Sequence, residues 1–133
     1  MEETLKTILQ IENKFVCHCY IDIDDFRLFN INNSYELGNL RLEQLENIIK
    51  VEISPAKTIR VGSDEFYIMF QDSFEKVKNK LFGLLSLINK KFDFTVSIGA
   101  TEENNLSPEG LIERLKQNTH LAKVYGKNKL YIQ

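Results

Sequence analysis

The 133-residue chain has no tryptophan, two prolines, six glycines and two cysteines. So little glycine and proline excludes a collagenous or low-complexity chain, and so few cysteines exclude a disulfide-stapled scaffold. Cys17 and Cys19 stand two apart in an apolar run. A bridge between them would need distorted strand geometry, so both are expected to be reduced core thiols. His18 and His120 are too far apart in sequence to complete a zinc site with them. An excess of either charge is also missing, since 17 Lys and Arg against 19 Asp and Glu leave a net charge of −2. A chain that tracks a nucleic-acid backbone needs a basic stripe, so no nucleic-acid partner is expected and any phosphate site must be local. No apolar run approaches the ~20 residues that span a bilayer, and the amino terminus lacks a signal-peptide pattern. A cytoplasmic address without a membrane partner is the expectation.

What is present describes a globular domain: 43% of the residues are hydrophobic and 27% charged. The length suits a single domain over 1–133, with an amino-terminal helix in 1–13 and the core in 14–133. Leu5, Ile8, Leu9 and Ile11 give the stretch Glu2 to Glu12 an amphipathic helical pattern. From Phe15 to Ile23 the pattern changes to period two, with Phe15, Cys17, Cys19, Ile21 and Ile23 on one face. This predicts a buried strand that ends in the acidic cluster Asp22, Asp24 and Asp25. Its His18 lies about 13 Å from Asp22 at ~3.3 Å per residue, which makes it a packed strand residue.

Phe26 to Asn33 reads as a short helix. A second helix follows with Leu37, Leu40, Leu45, Ile48 and Ile49 as its apolar stripe, and it should stop before Ser54-Pro55. Thr58 to Val61 and Phe66 to Phe70 are β-rich runs joined by Gly62-Ser63-Asp64-Glu65, the composition of a hairpin turn. Asp72 and Glu75 have capping-box spacing ahead of a long helix whose core stripe runs from Phe74 to Ile88. Phe92 to Ala100 reads as a strand. Ser107 and Pro108 open a last helix, on which His120 is expected to be a surface or core residue, and Lys129 to Ile132 form a terminal strand. The order contains the βαββαβ plan of an α+β domain, a ferredoxin-like or polymerase-palm core with a mainly antiparallel central sheet flanked by helices.

The two acidic clusters are what a two-metal site needs, because hard divalent ions prefer oxygen ligands and a pair of them can activate a hydroxyl while neutralising a phosphate. Asp22 and Asp64 meet if their strands are neighbours. Spacing alone leaves open whether these carboxylates bind metal or are merely solvated.

Ile21-Asp22-Ile23-Asp24-Asp25-Phe26-Arg27-Leu28-Phe29-Asn30 and Arg60-Val61-Gly62-Ser63-Asp64-Glu65-Phe66 resemble the two signatures of the GGDEF family, the diguanylate cyclases. Gly38-Asn39, Thr95 to Gly99 and Ala122 to Asn128 extend the likeness from Phe15 to Ile132. The resemblance implies a palm-like domain that condenses two GTP into cyclic di-GMP. It further implies that Asp22, the carbonyl of Ile23 and Asp64 ligate two Mg²⁺ or Mn²⁺ ions per active site. Glu65 would either assist deprotonation of the 3′-hydroxyl or complete the metal shell. Backbone amides around Asp25 and Phe26, together with Arg27, Lys123 and Lys127, would hold the triphosphate.

Gly62 and Ser63 occupy the two glycine positions of the family turn, and Ser63 departs from them. Asn30 matches the base-contacting asparagine, whereas Asn39 stands where the family has an aspartate that accepts from guanine. An amide offers an acceptor and two donors where a carboxylate only accepts, which opens the site to ATP or a mixed product beside GTP. The family's inhibitory Arg-x-x-Asp is absent, since Ile53-Ser54-Pro55-Ala56 stands there. One such domain holds one nucleotide, so cyclisation requires a homodimer. The competing expectation is a degenerate domain that binds a nucleotide or a protein partner without turnover.

Overall fold

The structure, a computed structural model, describes residues 2–11, 17–102 and 105–133. In chain order the elements are α1 (Glu2–Ile11), β1 (Cys17–Ile23), α2 (Phe26–Asn32), α3 (Tyr35–Glu52), β2 (Lys57–Arg60), β3 (Glu65–Phe70), α4 (Phe74–Lys91), β4 (Val96–Thr101), α5 (Pro108–Val124) and β5 (Leu130–Ile132). This is the expected α+β order; Phe15, Val16 and Glu12 lie outside the described residues. The strands form one sheet in the order β2-β3-β1-β4-β5, antiparallel throughout except for the parallel β4–β5 pair. β1 is therefore central, with β3 on one side and β4 on the other.

Both faces of β1 are covered, which a strand at the centre of a sheet between two helical layers requires. Cys17, Cys19, Ile21 and Ile23 point into the larger core with Leu45, Ile49, Leu81 and Ile88 from α3 and α4. Tyr20 points the other way, into a smaller core with Leu5 of α1 and Leu111, Ile112 and Leu115 of α5. Both cysteines are free and buried, in line with their expected state. Ser34 caps α3 by accepting from the Leu37 N–H at 3.1 Å, and Ser107 caps α5 by accepting from the Gly110 N–H at 3.1 Å.

Three local expectations change. The Asp72–Glu75 capping box does not form: Ser73 is the N-cap, in extended conformation without a side-chain cap bond, and Asp72 instead lies 3.6 Å from the Lys80 ammonium. The strand expected from Phe92 begins only at Val96. Phe94 is drawn into an aromatic cluster with Phe26, Phe29 and Phe92, and the Thr95 carbonyl accepts from the Asp24 N–H at 2.9 Å, so this stretch leaves the ladder. On α3 Leu40 is 46% exposed, and Leu42 takes its place in the core.

α5 lies directly on β4 because Gly99 has no side chain. A methyl there would come within 2.5 Å of the Thr119 nitrogen and 2.6 Å of the Leu115 carbonyl, both backbone atoms of α5. Gly99→Ala is expected to lift α5 and cost about 2–3 kcal/mol, read from urea unfolding.

His18 is buried, with Nδ1 hydrogen-bonded to the Tyr67 hydroxyl at 3.0 Å. Burial lowers its pKa from 6.5 to about 4. The unfolded chain thus binds more protons between those values, so the His18 contribution is complete above pH 6.5 and is lost as pH falls toward 4, an amount on the order of 3 kcal/mol. Asp22 acts with the opposite sign in the same window, because its folded pKa is raised. The stability difference between the wild type and His18→Phe isolates the histidine and is expected to shrink by that amount between pH 6.5 and 4.

Candidate active site at the carboxyl end of the central strand

The antiparallel register sets Asp22 opposite Glu65 on β3, and the Ile23 N–H donates to the Asp64 carbonyl at 3.1 Å. Asp22, Asp64 and Glu65 are thereby brought to one end of the sheet. The β2–β3 turn is held by Arg60, whose guanidinium donates to the carbonyls of Gly62 at 3.3 Å and Ser63 at 2.6 Å. The Ser63 hydroxyl donates to Asp64 Oδ1 at 3.4 Å. Glu65 is held by Tyr20, whose hydroxyl donates to its Oε2 at 3.1 Å, and its Oε1 lies over Gly62.

Asp24 was legible only as one member of an acidic cluster, and the structure makes it the hub of the site. Its carboxylate is buried and accepts from Thr95 at 2.7 Å, Ser97 at 2.6 Å, the Lys123 ammonium at 2.9 Å and the Asn128 N–H at 3.0 Å. Burial pushes its pKa up, but the bonds from Ser97, Thr95, the Asn128 backbone and Lys123 together outweigh burial and leave it below the ordinary carboxylate value. Around this hub the backbone adopts left-handed conformations at Asp25, Lys127 and Asn128, with φ of 55°, 63° and 48°. Such geometry costs energy outside glycine and persists where surrounding contacts over-determine it.

Lys123 reaches from α5 to the end of β1, 3.4 Å from the Ile23 carbonyl oxygen and 3.8 Å from Asp22 Oδ2. Lys127 donates to both oxygens of Asp25 at 2.9 and 2.8 Å. Burial raises the pKa of Asp22 to about 7; Lys123 opposes this, and Asp64, Glu65 and Asp24 add to it by like-charge repulsion. The remaining expected residues lie nearby on α2 and α3. Phe26 is buried against Phe29, Arg27 and Asn39 are exposed, and Asn30 Oδ1 is buried beside Gly38 without a hydrogen-bond partner among the described residues.

A cleft of about 240 Å³ between β1 and α5 is walled by Tyr20, Asp22, Glu65, His120 and Lys123. His120, expected at the surface or in the core, is exposed on that wall. A larger hollow of about 360 Å³ beside the β1–α2 turn carries Asp25 and Asp93 and no lysine or arginine, the wrong charge for a triphosphate.

The donor set fits a hard divalent ion: carboxylate and carbonyl oxygens converge, and an ammonium already stands among them as a cation. Among the described residues there is no group of three or more His, Cys, Asp or Glu side chains placed to hold a metal ion by themselves.

Solved structures with this arrangement of elements include the GGDEF domain of DgcB from Caulobacter crescentus in complex with c-di-GMP. It matches with a TM-score of 0.84 at 20% identity, over 98% of this chain and 86% of that one. The chain has the GGDEF-domain fold. The GGDEF domain of YfiN (TpbB) from Pseudomonas aeruginosa matches with a TM-score of 0.82 at 16% identity, over 98% and 91% of the two chains. No protein-family model matches the chain. Among curated proteins, the probable diguanylate cyclase DgcT of Escherichia coli is 28% identical over 133 residues, covering 88% of this chain and 29% of that protein. The uncharacterized membrane protein SERP0413 of Staphylococcus epidermidis is 29% identical over 124 residues, covering 83% and 35%. The chain thus spans about a third of the length of these curated relatives. Among the described residues no helix is long and apolar enough to cross a membrane.

Asp24→Ala would strand the two hydroxyls, the ammonium and the N–H that converge on it. The expected loss is about 3–5 kcal/mol in urea unfolding, with Asp24→Asn intermediate because an acceptor oxygen is kept.

Proposed function

We propose that this GGDEF-type domain is a nucleotidyl cyclase that joins two nucleoside triphosphates into a cyclic dinucleotide. The observation that carries this reading is the meeting of Asp22, Asp64 and Glu65 with the Lys123 ammonium at one end of the sheet, from elements remote in the chain. The neighbours solved with c-di-GMP support a cyclic dinucleotide as the product.

In the reaction, two copies face each other with one triphosphate each. Each 3′-hydroxyl oxygen attacks the α-phosphorus of the other nucleotide, forming a phosphodiester bond as the bridging bond to the β-phosphate breaks. Two pyrophosphates and two protons leave. When bound to Asp22, the Ile23 carbonyl and Asp64, Mg²⁺ or Mn²⁺ would supply Lewis acidity at the α-phosphate and the attacking hydroxyl. Glu65, held by Tyr20, takes the hydroxyl proton or completes the metal shell. Lys123, Lys127 and Arg27 neutralise the triphosphate, with backbone N–H groups around Asp25 and Phe26. Gly62 lets the turn approach the nucleotide while the Ser63 hydroxymethyl narrows that approach, and the unpartnered Asn30 oxygen, buried beside Gly38, would accept from a base once its side chain turns outward. Asn39, which both donates and accepts, removes the requirement for guanine, so GTP and ATP are both candidate substrates.

The Ser63 departure favours a second reading, a nucleotide-binding module without turnover. Incubation at high protein concentration with Mg²⁺ or Mn²⁺ and each triphosphate, singly and in pairs, separates the two. The expected result is a cyclic dinucleotide detected by mass spectrometry and lost in Asp64→Ala. No product under any condition, with nucleotide still raising the melting temperature, selects the binding module.

A further inference from the structure

The two lysines assigned to the triphosphate are both engaged by this chain's own oxygens. Lys127 pairs with Asp25 at the surface, with side chains 44% and 55% exposed, a contact that is easily broken. Lys123 is held more deeply, at 2.9 Å from Asp24 Oδ1, 3.4 Å from the Ile23 carbonyl oxygen and 3.8 Å from Asp22 Oδ2. The last two of these atoms belong to the proposed metal ligands. An ammonium has three donors and one positive charge, so it satisfies the same hard oxygens that a divalent ion would take. An ion entering between Asp22 and Ile23 would meet a like charge at close range for as long as Lys123 stays.

We infer that Lys123 is a resident cation in the metal position, and that the site takes a metal–triphosphate complex rather than the bare ion. Phosphate draws the ammonium away from Ile23 and Asp22, and the ion that arrives with the phosphate takes their oxygens. Asp24 permits this exchange because Thr95, Ser97 and the Asn128 N–H still hold its carboxylate after the ammonium moves. By linkage, ion and triphosphate each raise the affinity for the other. The inference rests on the metal reading proposed above.

The test is Mn²⁺ binding to the full chain without nucleotide, followed by electron paramagnetic resonance. Lys123→Met is expected to bind Mn²⁺ about tenfold more tightly than the wild type, within the range usual for such coupling, although it loses a triphosphate contact. Lys127→Met removes the same charge nearby and is expected to change affinity less than twofold. Unchanged or weaker binding in Lys123→Met overturns the inference, and so does an equal gain in Lys127→Met, which would make the effect one of net charge. Wild-type crystals soaked with Mn²⁺ supply a check that needs no folded variant. The expected anomalous peak between Asp22 and Ile23 appears only with a non-hydrolysable triphosphate, and a peak there with Mn²⁺ alone and Lys123 in place also overturns the inference. If Mn²⁺ never reaches Asp22, with or without the triphosphate, the metal reading falls together with it.

Discussion

A single buried carboxylate organises this domain. Asp24 follows directly on the central strand, and a charge removed from water there is tolerable only with a full set of hydrogen bonds. Those bonds come from the segment entering β4, from β4 itself, from the end of α5 and from the loop before β5. Meeting the requirement of one side chain therefore ties the end of β1 to two stretches far from it in sequence, 95–97 and 123–128. Lys123 reaches the end of β1 through this carboxylate, and the left-handed turn at Lys127 and Asn128 wraps around it. The geometry of the proposed phosphate clamp is a by-product of satisfying Asp24.

The second constraint is the central place of β1. Flanked by β3 and β4 and covered by helices on both faces, it cannot slip by one residue without sending Ile21 and Ile23 into the core shaped for Tyr20 and Tyr20 into theirs. Register in turn sets Asp22 against Glu65 and lets Tyr20 reach the Glu65 carboxylate from the α5 side. On that side Gly99 keeps α5 close enough to the sheet for Lys123 to reach the strand end. Packing and chemistry are thus connected through backbone distances.

Charge shapes the site as strongly as shape does. Burial first, and then the like charges of Asp64, Glu65 and Asp24, push the Asp22 pKa up to about 7 against the pull of Lys123, so the strand end favours a cation. In the free chain the Lys123 ammonium stands beside Asp22, and under the proposal above the binding of a metal–nucleotide complex is an exchange of cations. The residues proposed to bind phosphate and those proposed to bind metal would then be parts of one electrostatic unit.

Much of this was determined by the sequence alone. The order of helices and strands follows from periodicity, the hairpin from Gly62 to Glu65, and the start of the last helix at Ser107 from local capping chemistry, all short-range effects that neighbouring residues decide. Asp22, Asp64 and Glu65 were legible as members of two acidic clusters, whereas Lys123 and Lys127 became candidates only through the resemblance to the GGDEF family. Tertiary structure decided the rest, because the deciding partners are distant in the chain. Phe94 left its expected strand for an aromatic cluster, and Asp72 abandoned a cap for Lys80. Asp24 became the hub only when Thr95, Ser97, Lys123 and Asn128 converged on it, and the ammonium of Lys123 came to stand among the oxygens of Ile23 and Asp22. No pattern in the sequence marks these contacts, since each depends on which strands are neighbours and how closely α5 can approach the sheet.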